Sequence, residues 1–474
     1  MDAPKPERAP RAGETIAGEV LDLAYGGMGV LRASGWVVMV PRAFPGDRVR
    51  VRLRRRRKGL FEGELLEIVE PSVDRVPPTC GHSEICGGCA LQGLSPAAQL
   101  RWKEAQARSL LQRLGRLVPE VVAPAWQSPE VWYYRNKMEF SFARRPWVPA
   151  EELREGGPLP TGIALGLHLR GRYDAIFDIQ DCRLQSPLTN RIVGELREIA
   201  RRRGLPAYDS RSDEGLLRHL VVRRSLRHPD LLLVLVVRRE DPAVPEIARE
   251  LRAAVPEVSG IVASVNLRRA TVARGDYDLP LLGEPFWRET LAGIDFRLGA
   301  SSFFQTQTRG AEALAEEVRE QTACGPGTRL LDLYCGAGTL SLPLARDGAR
   351  VLGVEVLPAA VEEARATAAA NGIQGAEFRC AAIETKEAEP WETDRWDVVL
   401  VDPPRSGLHP RALQKLRGLR APRIVYVSCN PSTLARDAGV LVNEDGYRAR
   451  NLRVFDLFPQ TPHLESVLTL TRDR

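Results

Sequence analysis

Three cysteines stand within ten residues, Cys80-x5-Cys86-x2-Cys89, among glycines. Thiolates this close can converge on one centre, and four of them suit a zinc ion or an iron–sulfur cluster. A fourth ligand must come from elsewhere, and Cys182 is the nearest cysteine outside the run. Zinc ribbons pair two Cys-x2-Cys knuckles; only one is present, which tilts the reading to iron–sulfur. Buried free thiols are the alternative. A second constellation is Asp332-Leu-Tyr-Cys-Gly336-Ala-Gly338-Thr339, with Glu355 closing the next apolar stretch seventeen residues after Gly338. Glycines let the chain turn tightly against a ligand, and a strand-end acid accepts hydrogen bonds from ribose hydroxyls. Ser341 replaces the third glycine of a dinucleotide fingerprint. S-adenosylmethionine (SAM), which has a ribose and no pyrophosphate, therefore fits better.

Two further apolar runs end in reactive side chains. Val398–Val401 leads to Asp402-Pro403-Pro404-Arg405, and Ile424–Val427 leads to Ser428-Cys429-Asn430-Pro431. A cysteine at a strand end beside a cofactor site is a candidate nucleophile, with a small buried hydrophobe as the alternative. Glu465, in Pro462-His463-Leu464-Glu465, lies beside Cys429 if the final strands are neighbours.

The elements that must position these groups fall into three regions. Residues 14–70 look all-β, with Arg48, Arg50, Arg52 and Arg54 alternating with Val49, Val51 and Leu53. A period of two puts arginines on one face of a strand and aliphatics on the other. A helical stretch follows from Pro96 to about Gly115. Residues 130–295 mix strands and helices, and Leu231–Val237 reads as a buried strand. Glu151–Pro160 looks like an inserted loop. From about Ser301 strands alternate with helices, the signature of a parallel α/β sheet. The expected organisation is a disordered tail over 1–13, a β-module over 14–72, a central α+β region over 73–295 and an α/β domain over 296–474.

Composition narrows the class. The chain has 474 residues, with 67 Lys and Arg against 61 Asp and Glu, a net charge of +6. Residues 41–60 hold nine basic side chains and one acid, Asp47, a local excess suited to a polyanion such as RNA. A solvated strand face is the plainer alternative. No segment approaches the ~18 apolar residues of a membrane helix, and there is no apolar leader, so a soluble cytoplasmic protein is expected. Eight cysteines in such a chain argue for metal or catalytic roles over disulfides. Cys324, Cys335 and Cys380 attract no role.

Taken together, the motifs resemble those of bacterial RNA 5-methyluridine (uracil-C5) methyltransferases, in particular the iron–sulfur 23S rRNA enzymes, over nearly the whole chain. The resemblance adds Tyr134-Arg-Asn-Lys137 and Ser302-Phe-Phe-Gln305 to the motifs above. It implies an OB-like TRAM barrel over 14–72 that binds RNA, a central domain with a metal cluster and a doubly wound, Rossmann-like SAM methyltransferase domain. It further implies a [4Fe–4S] cluster on Cys80, Cys86, Cys89 and Cys182, and SAM contacts from Gln305, Tyr334, Glu355 and Asp402. Cys429 would be the nucleophile and Glu465 the general base. Tyr334 and Thr339 depart from the phenylalanine and asparagine frequent in the family. No membrane or obligate protein partner is expected. The competing readings are a tRNA uridine-C5 methyltransferase, an RNA cytosine-C5 methyltransferase, an amino-group methyltransferase using Asp402-Pro-Pro and a non-catalytic RNA-binding assembly protein.

Overall fold

The structure is a computed structural model that describes residues 10–33, 35–57, 59–149 and 161–472. The start of the expected N-terminal tail and all of the expected 151–160 insertion therefore lie outside the described residues.

The alternating strand forms as its period demands. Arg48–Arg57 buries Val49, Val51 and Leu53 and turns Arg48, Arg50, Arg52 and Arg54 outward. It sits in a six-stranded sheet, between Thr15–Glu19 and Leu60–Glu70. The sheet continues through Trp36–Pro41, Met28–Ala33 and Asp22–Ala24. Its core is Val20, Leu31, Val38, Val40, Val49, Val51, Leu53 and Phe61.

The outward arginines are not a bare cationic face. Arg48 pairs with Glu70 at 3.5 Å, Arg50 with Glu67 at 2.9 Å, and Arg52 and Arg54 with Glu64 at 3.7 and 2.5 Å. The excess of charge read over 41–60 is thus answered in part, by three carboxylates, across the strand pair. The acids lie just beyond that window, where a count along the chain does not see them.

The central region is a seven-stranded sheet in the order Arg172–Asp178, Ala164–Leu169, Lys137–Ala143, Leu217–Arg224, Leu231–Val237, Gly260–Val265, Tyr277–Gly283. Every residue of Leu231–Val237 is buried, as its unbroken apolar run requires. Helices Pro187–Arg202 and Ala243–Ala254 cover one face, with Ile192, Leu196, Ile247 and Leu251 in the core.

The C-terminal sheet places five parallel strands in the order Ala376–Cys380, Arg350–Glu355, Arg329–Leu333, Val398–Val401, Arg423–Ser428. Glu465–Thr471 then enters antiparallel beside Arg423–Ser428, followed by Arg448–Asp456. Helices Thr308–Thr322, Pro358–Ala370 and Pro431–Asp445 supply buried apolar faces to the two sides.

One boundary differs from the expectation. Residues 96–127 were grouped with the central region, yet Val121–Val122 and Trp126–Gln127 extend the C-terminal sheet beside Arg448–Asp456. Helix Pro96–Arg113 packs on the same side, against Pro431–Asp445. Its Lys103, 1% exposed, reaches Asp456 at 2.6 Å and the Phe458 carbonyl at 3.1 Å. A buried ion pair of this kind fixes the helix to one place. Among the described residues no helix is long and apolar enough to cross a membrane.

Candidate active site

The strands deliver their terminal side chains to one edge, because parallel strands all end on the same side of the sheet. Asp332 sits near the end of Arg329–Leu333 and is buried. The chain then turns sharply: Tyr334, Gly336 and Gly338 all have positive φ, at 66°, 53° and 77°. A non-glycine residue rarely adopts this conformation, so Tyr334 is held there by its surroundings. Its hydroxyl donates to Glu384 at 3.0 Å.

Glu355 closes the neighbouring strand and braces the glycine loop. Its carboxylate accepts from the Gly336 N–H at 3.2 Å and the Leu357 N–H at 2.9 Å. Each oxygen keeps capacity for a further donor such as a ribose hydroxyl. Asp402 follows Val401, and Pro403 and Pro404 end that strand because they lack the N–H a ladder needs. Burial pushes the Asp402 carboxyl up to about 7 and, with Asp402 and Glu355 nearby, pushes Asp332 up to about 8. Oδ2 of Asp332 has no hydrogen-bond partner among the described residues. Three acids converging with no counter-cation on them among the described residues form a site suited to a cationic ligand.

Gln305 is buried in the segment before helix Thr308–Thr322. Its carbonyl accepts from Asn136 Nδ2 at 2.9 Å, and Asn136 N–H donates to Thr306 at 2.9 Å. The 134–137 motif thereby pins the 302–305 segment. Tyr134 is core, its hydroxyl donating to the Pro459 carbonyl at 2.9 Å; Tyr133 is exposed.

Cys429 and Glu465 are brought together by register. Ser428 pairs with Ser466, so Cys429 and Glu465 each lie one residue beyond the same cross-strand pair. Ser466 Oγ–H also donates to the Ser428 carbonyl at 3.1 Å. Asn430 caps helix Pro431–Asp445 through the Ser432 N–H at 3.1 Å, and its Nδ2 donates to the Arg405 carbonyl at 2.9 Å. One side chain thus ties the cysteine loop to the proline loop. Burial and Asp402 raise the Glu465 carboxyl well above the usual range. Burial, Glu465 and Asp402 push the Cys429 thiol up to about 12, while Arg405 acts the other way.

The other cysteines gather elsewhere. Cys80, Cys86, Cys89 and Cys182 line one cavity of about 710 Å³ with Trp132 and Arg135. Burial and the neighbouring thiols push Cys89 up to about 12 and Cys182 up to about 11. Among the described residues, no three or more His, Cys, Asp or Glu side chains are arranged to hold a metal ion.

Comparisons with known proteins agree with this layout. Residues 290–473 match the tRNA (uracil-5-)-methyltransferase family model, and residues 16–73 match the TRAM domain model of tRNA (uracil(54)-C(5))-methyltransferase. An uncharacterized RNA methyltransferase of Nitratidesulfovibrio vulgaris is 38% identical over 467 residues, 97% of this chain and 96% of its own. Another from Halalkalibacterium halodurans is 35% identical, over 95% of each chain. The crystal structure of Pyrococcus abyssi tRNA (uracil-54, C5)-methyltransferase with S-adenosyl-L-homocysteine superposes with a TM-score of 0.73. It is 29% identical and covers 96% of this chain and 99% of its own. The chain belongs to the SAM-dependent RNA uracil-C5 methyltransferases.

Its N-terminal sheet is accordingly a TRAM-like barrel and its C-terminal sheet a SAM methyltransferase fold. Sequence reasoning passed over three groups in this methyltransferase. Asn430 carried a signal, since Asn before Pro at a helix start reads as a cap. Glu384 lies in a loop with no motif. Tyr25, whose hydroxyl donates to the Cys429 carbonyl at 3.1 Å, belongs to the barrel 404 residues away.

Proposed function

We propose that this methyltransferase, a cytoplasmic enzyme, methylates C5 of a uridine in 23S rRNA through a covalent Cys429 adduct. The observation that carries the reading is the placement of Cys429 and Glu465 one residue beyond the same end of the Ser428–Ser466 pair, at the edge where Asp332, Glu355 and Asp402 converge. Uracil C5 is too weak a nucleophile to take a methyl group unaided. The Cys429 thiolate adds to C6, saturating the 5,6 bond and making C5 enolate-like. C5 then bonds to the methyl group, and the carbon–sulfur bond of SAM breaks to leave S-adenosylhomocysteine. The Glu465 carboxylate takes the C5 proton, the 5,6 bond re-forms and the Cys429 thiolate departs. A carboxyl raised by burial is the stronger base once ionised. SAM, when bound, supplies the methyl group and a positive sulfonium. Arg405 adds positive charge near the thiol, favouring the thiolate. Gln305, Tyr334, Glu355 and Asp402 orient the cosubstrate. Both faces of the base must be reached, so the target is unpaired or flipped out.

Cys80, Cys86, Cys89 and Cys182 would hold a [4Fe–4S] cluster. Burial raises the thiols of Cys86, Cys89 and Cys182, and a cationic centre would offset that cost. The four cysteines line one shared cavity, and the single Cys-x2-Cys knuckle favours iron and sulfide over one zinc ion. Methyl transfer needs no electrons, so the cluster would serve structure or RNA positioning and not redox chemistry. The cysteine motif favours rRNA. A second reading, tRNA, is favoured by the likeness to the Pyrococcus abyssi tRNA enzyme.

Cys429→Ala lowers transfer by ~10³-fold or more and yields no adduct. Glu465→Gln accumulates denaturant-stable protein–RNA adduct; normal turnover in either variant overturns its assigned role. Anaerobically purified protein carries iron with visible charge-transfer absorption, and stoichiometric zinc without iron removes the cluster. Loss of 5-methyluridine from 23S rRNA in a deletion strain supports the target; loss from tRNA alone establishes the second reading.

A further inference from the structure

The barrel reaches into the reaction site. Its turn Tyr25-Gly26-Gly27 joins strands Asp22–Ala24 and Met28–Ala33, with φ of 104° and 83° at the two glycines. A Cβ on Gly27 would lie 3.2 Å from the Ala90 Cβ, 3.3 Å from the Leu91 Cδ2 and 3.3 Å from the Pro462 Cβ. The turn is therefore wedged between the segment after Cys89 and the loop leading to Glu465. Behind it, Leu23 and Phe44 share a core with Leu91, Leu94 and Ala98, and Gln106 Nε2 donates to the Leu23 carbonyl at 2.7 Å.

From this anchored turn the Tyr25 hydroxyl donates to the Cys429 carbonyl at 3.1 Å. The Arg405 guanidinium lies against the same hydroxyl and reaches His463 Nδ1 at 3.4 Å. Arg405 is exposed, and a long exposed side chain samples many rotamers unless something holds it. Burial raises the Tyr25 phenol, so it remains a donor at neutral pH.

We propose that Tyr25 is a positioning residue for methyl transfer: its hydroxyl fixes the Cys429 backbone and keeps Arg405 beside the thiol. This rests on the covalent role of Cys429. The barrel then serves the chemistry directly and does not only hold RNA.

The test compares wild type with Tyr25→Phe, which keeps the ring and removes only the hydroxyl. The measurements are single-turnover methylation, RNA affinity, melting temperature and the pH profile of iodoacetamide alkylation at Cys429, followed by mass spectrometry of its peptide. The expected result is a drop of about ten-fold in the methylation rate with RNA affinity changed less than about two-fold, as for an interaction made mainly in the transition state. The alkylation midpoint moves to higher pH, by up to about one unit, as Arg405 loosens. A rate and an alkylation profile both equal to wild type overturn the proposal. So does weakened RNA binding with an unchanged rate, which makes Tyr25 an RNA contact. A lower melting temperature with an unmoved alkylation profile likewise makes its role merely structural. If wild type itself forms no adduct through Cys429, the covalent reading fails; the alkylation profile still reports on Tyr25.

Discussion

At the residue scale the site is defined by carboxyls that burial holds away from their usual range. Asp402 is raised to about 7 and Asp332 to about 8. A group raised in the folded state contributes most stability at low pH and loses it as pH climbs through its folded pKa. The SAM-free enzyme therefore loses this contribution progressively from about pH 4, where the unfolded carboxyls ionise, until pH 7 to 8, above which no more is lost. A cationic cosubstrate binds the ionised acids, so its affinity moves the opposite way. Between pH 6 and 8 the ionised fraction of a group titrating near 7 grows about ten-fold, and SAM affinity should grow by at least that factor. Calorimetric titration with SAM across this range checks it, and a flat affinity would show that these carboxyls do not face the ligand's charge. Residue type and strand-end position were legible in the sequence for Asp332, Glu355, Asp402 and Cys429. The raised titration of Asp332, Asp402 and Cys429 was not, because it arises from burial among residues distant in the chain. Cys335 also gains a reading: a Cβ on Gly353 would come within 2.8 Å of its sulfur, so it is a small buried filler against that strand.

At the element scale, register and capping do the assembling. The condition placed on Glu465, that the last strands be neighbours, is met by the antiparallel pairing of Arg423–Ser428 with Glu465–Thr471. Helix Pro96–Arg113 was legible as a helix, though its address was not. Its periodicity shows an amphipathic surface and cannot show which sheet it meets. Lys103 and Asp456 decide that address. Lys103→Ala leaves a buried carboxylate unpaired, and breaking such a pair costs about 3–5 kcal/mol. The denaturation midpoint should fall accordingly, and the double variant Lys103→Met with Asp456→Leu should regain most of the loss. Equal loss in both variants would show that packing, not the charge pair, holds the helix.

At the scale of the whole molecule the barrel and the methyltransferase fold share structure. Surface ion pairs such as Arg50–Glu67 are worth only about 0–1 kcal/mol each, so the cross-strand arginines add little to stability. The barrel is held instead by Leu23 and Phe44 against Leu91, Leu94 and Ala98, and by Asp47, whose carboxylate takes Arg75 at 2.7 Å. Removing residues 1–72 should expose that apolar patch, lower the melting temperature and reduce the methylation rate at saturating RNA. A truncated enzyme with full rate and weaker RNA binding alone would mean the barrel is a detachable RNA anchor.

Local chemistry determined what the sequence could show on its own. Strand and helix periods, strand-ending prolines, turn glycines and the reactive residues beside them are properties of short stretches, and they carried the fold class and the family resemblance. Tertiary structure decided what meets what. Burying both faces of the C-terminal sheet sets the strand order that joins Cys429 to Glu465. Pairing of Arg48–Arg57 with Leu60–Glu70 answers the local positive charge with Glu64, Glu67 and Glu70. Packing of the barrel against residues 91–98 carries Tyr25 across 404 residues to the Cys429 carbonyl. None of these encounters has a period or a spacing along the chain, because each follows from which apolar surfaces cover one another.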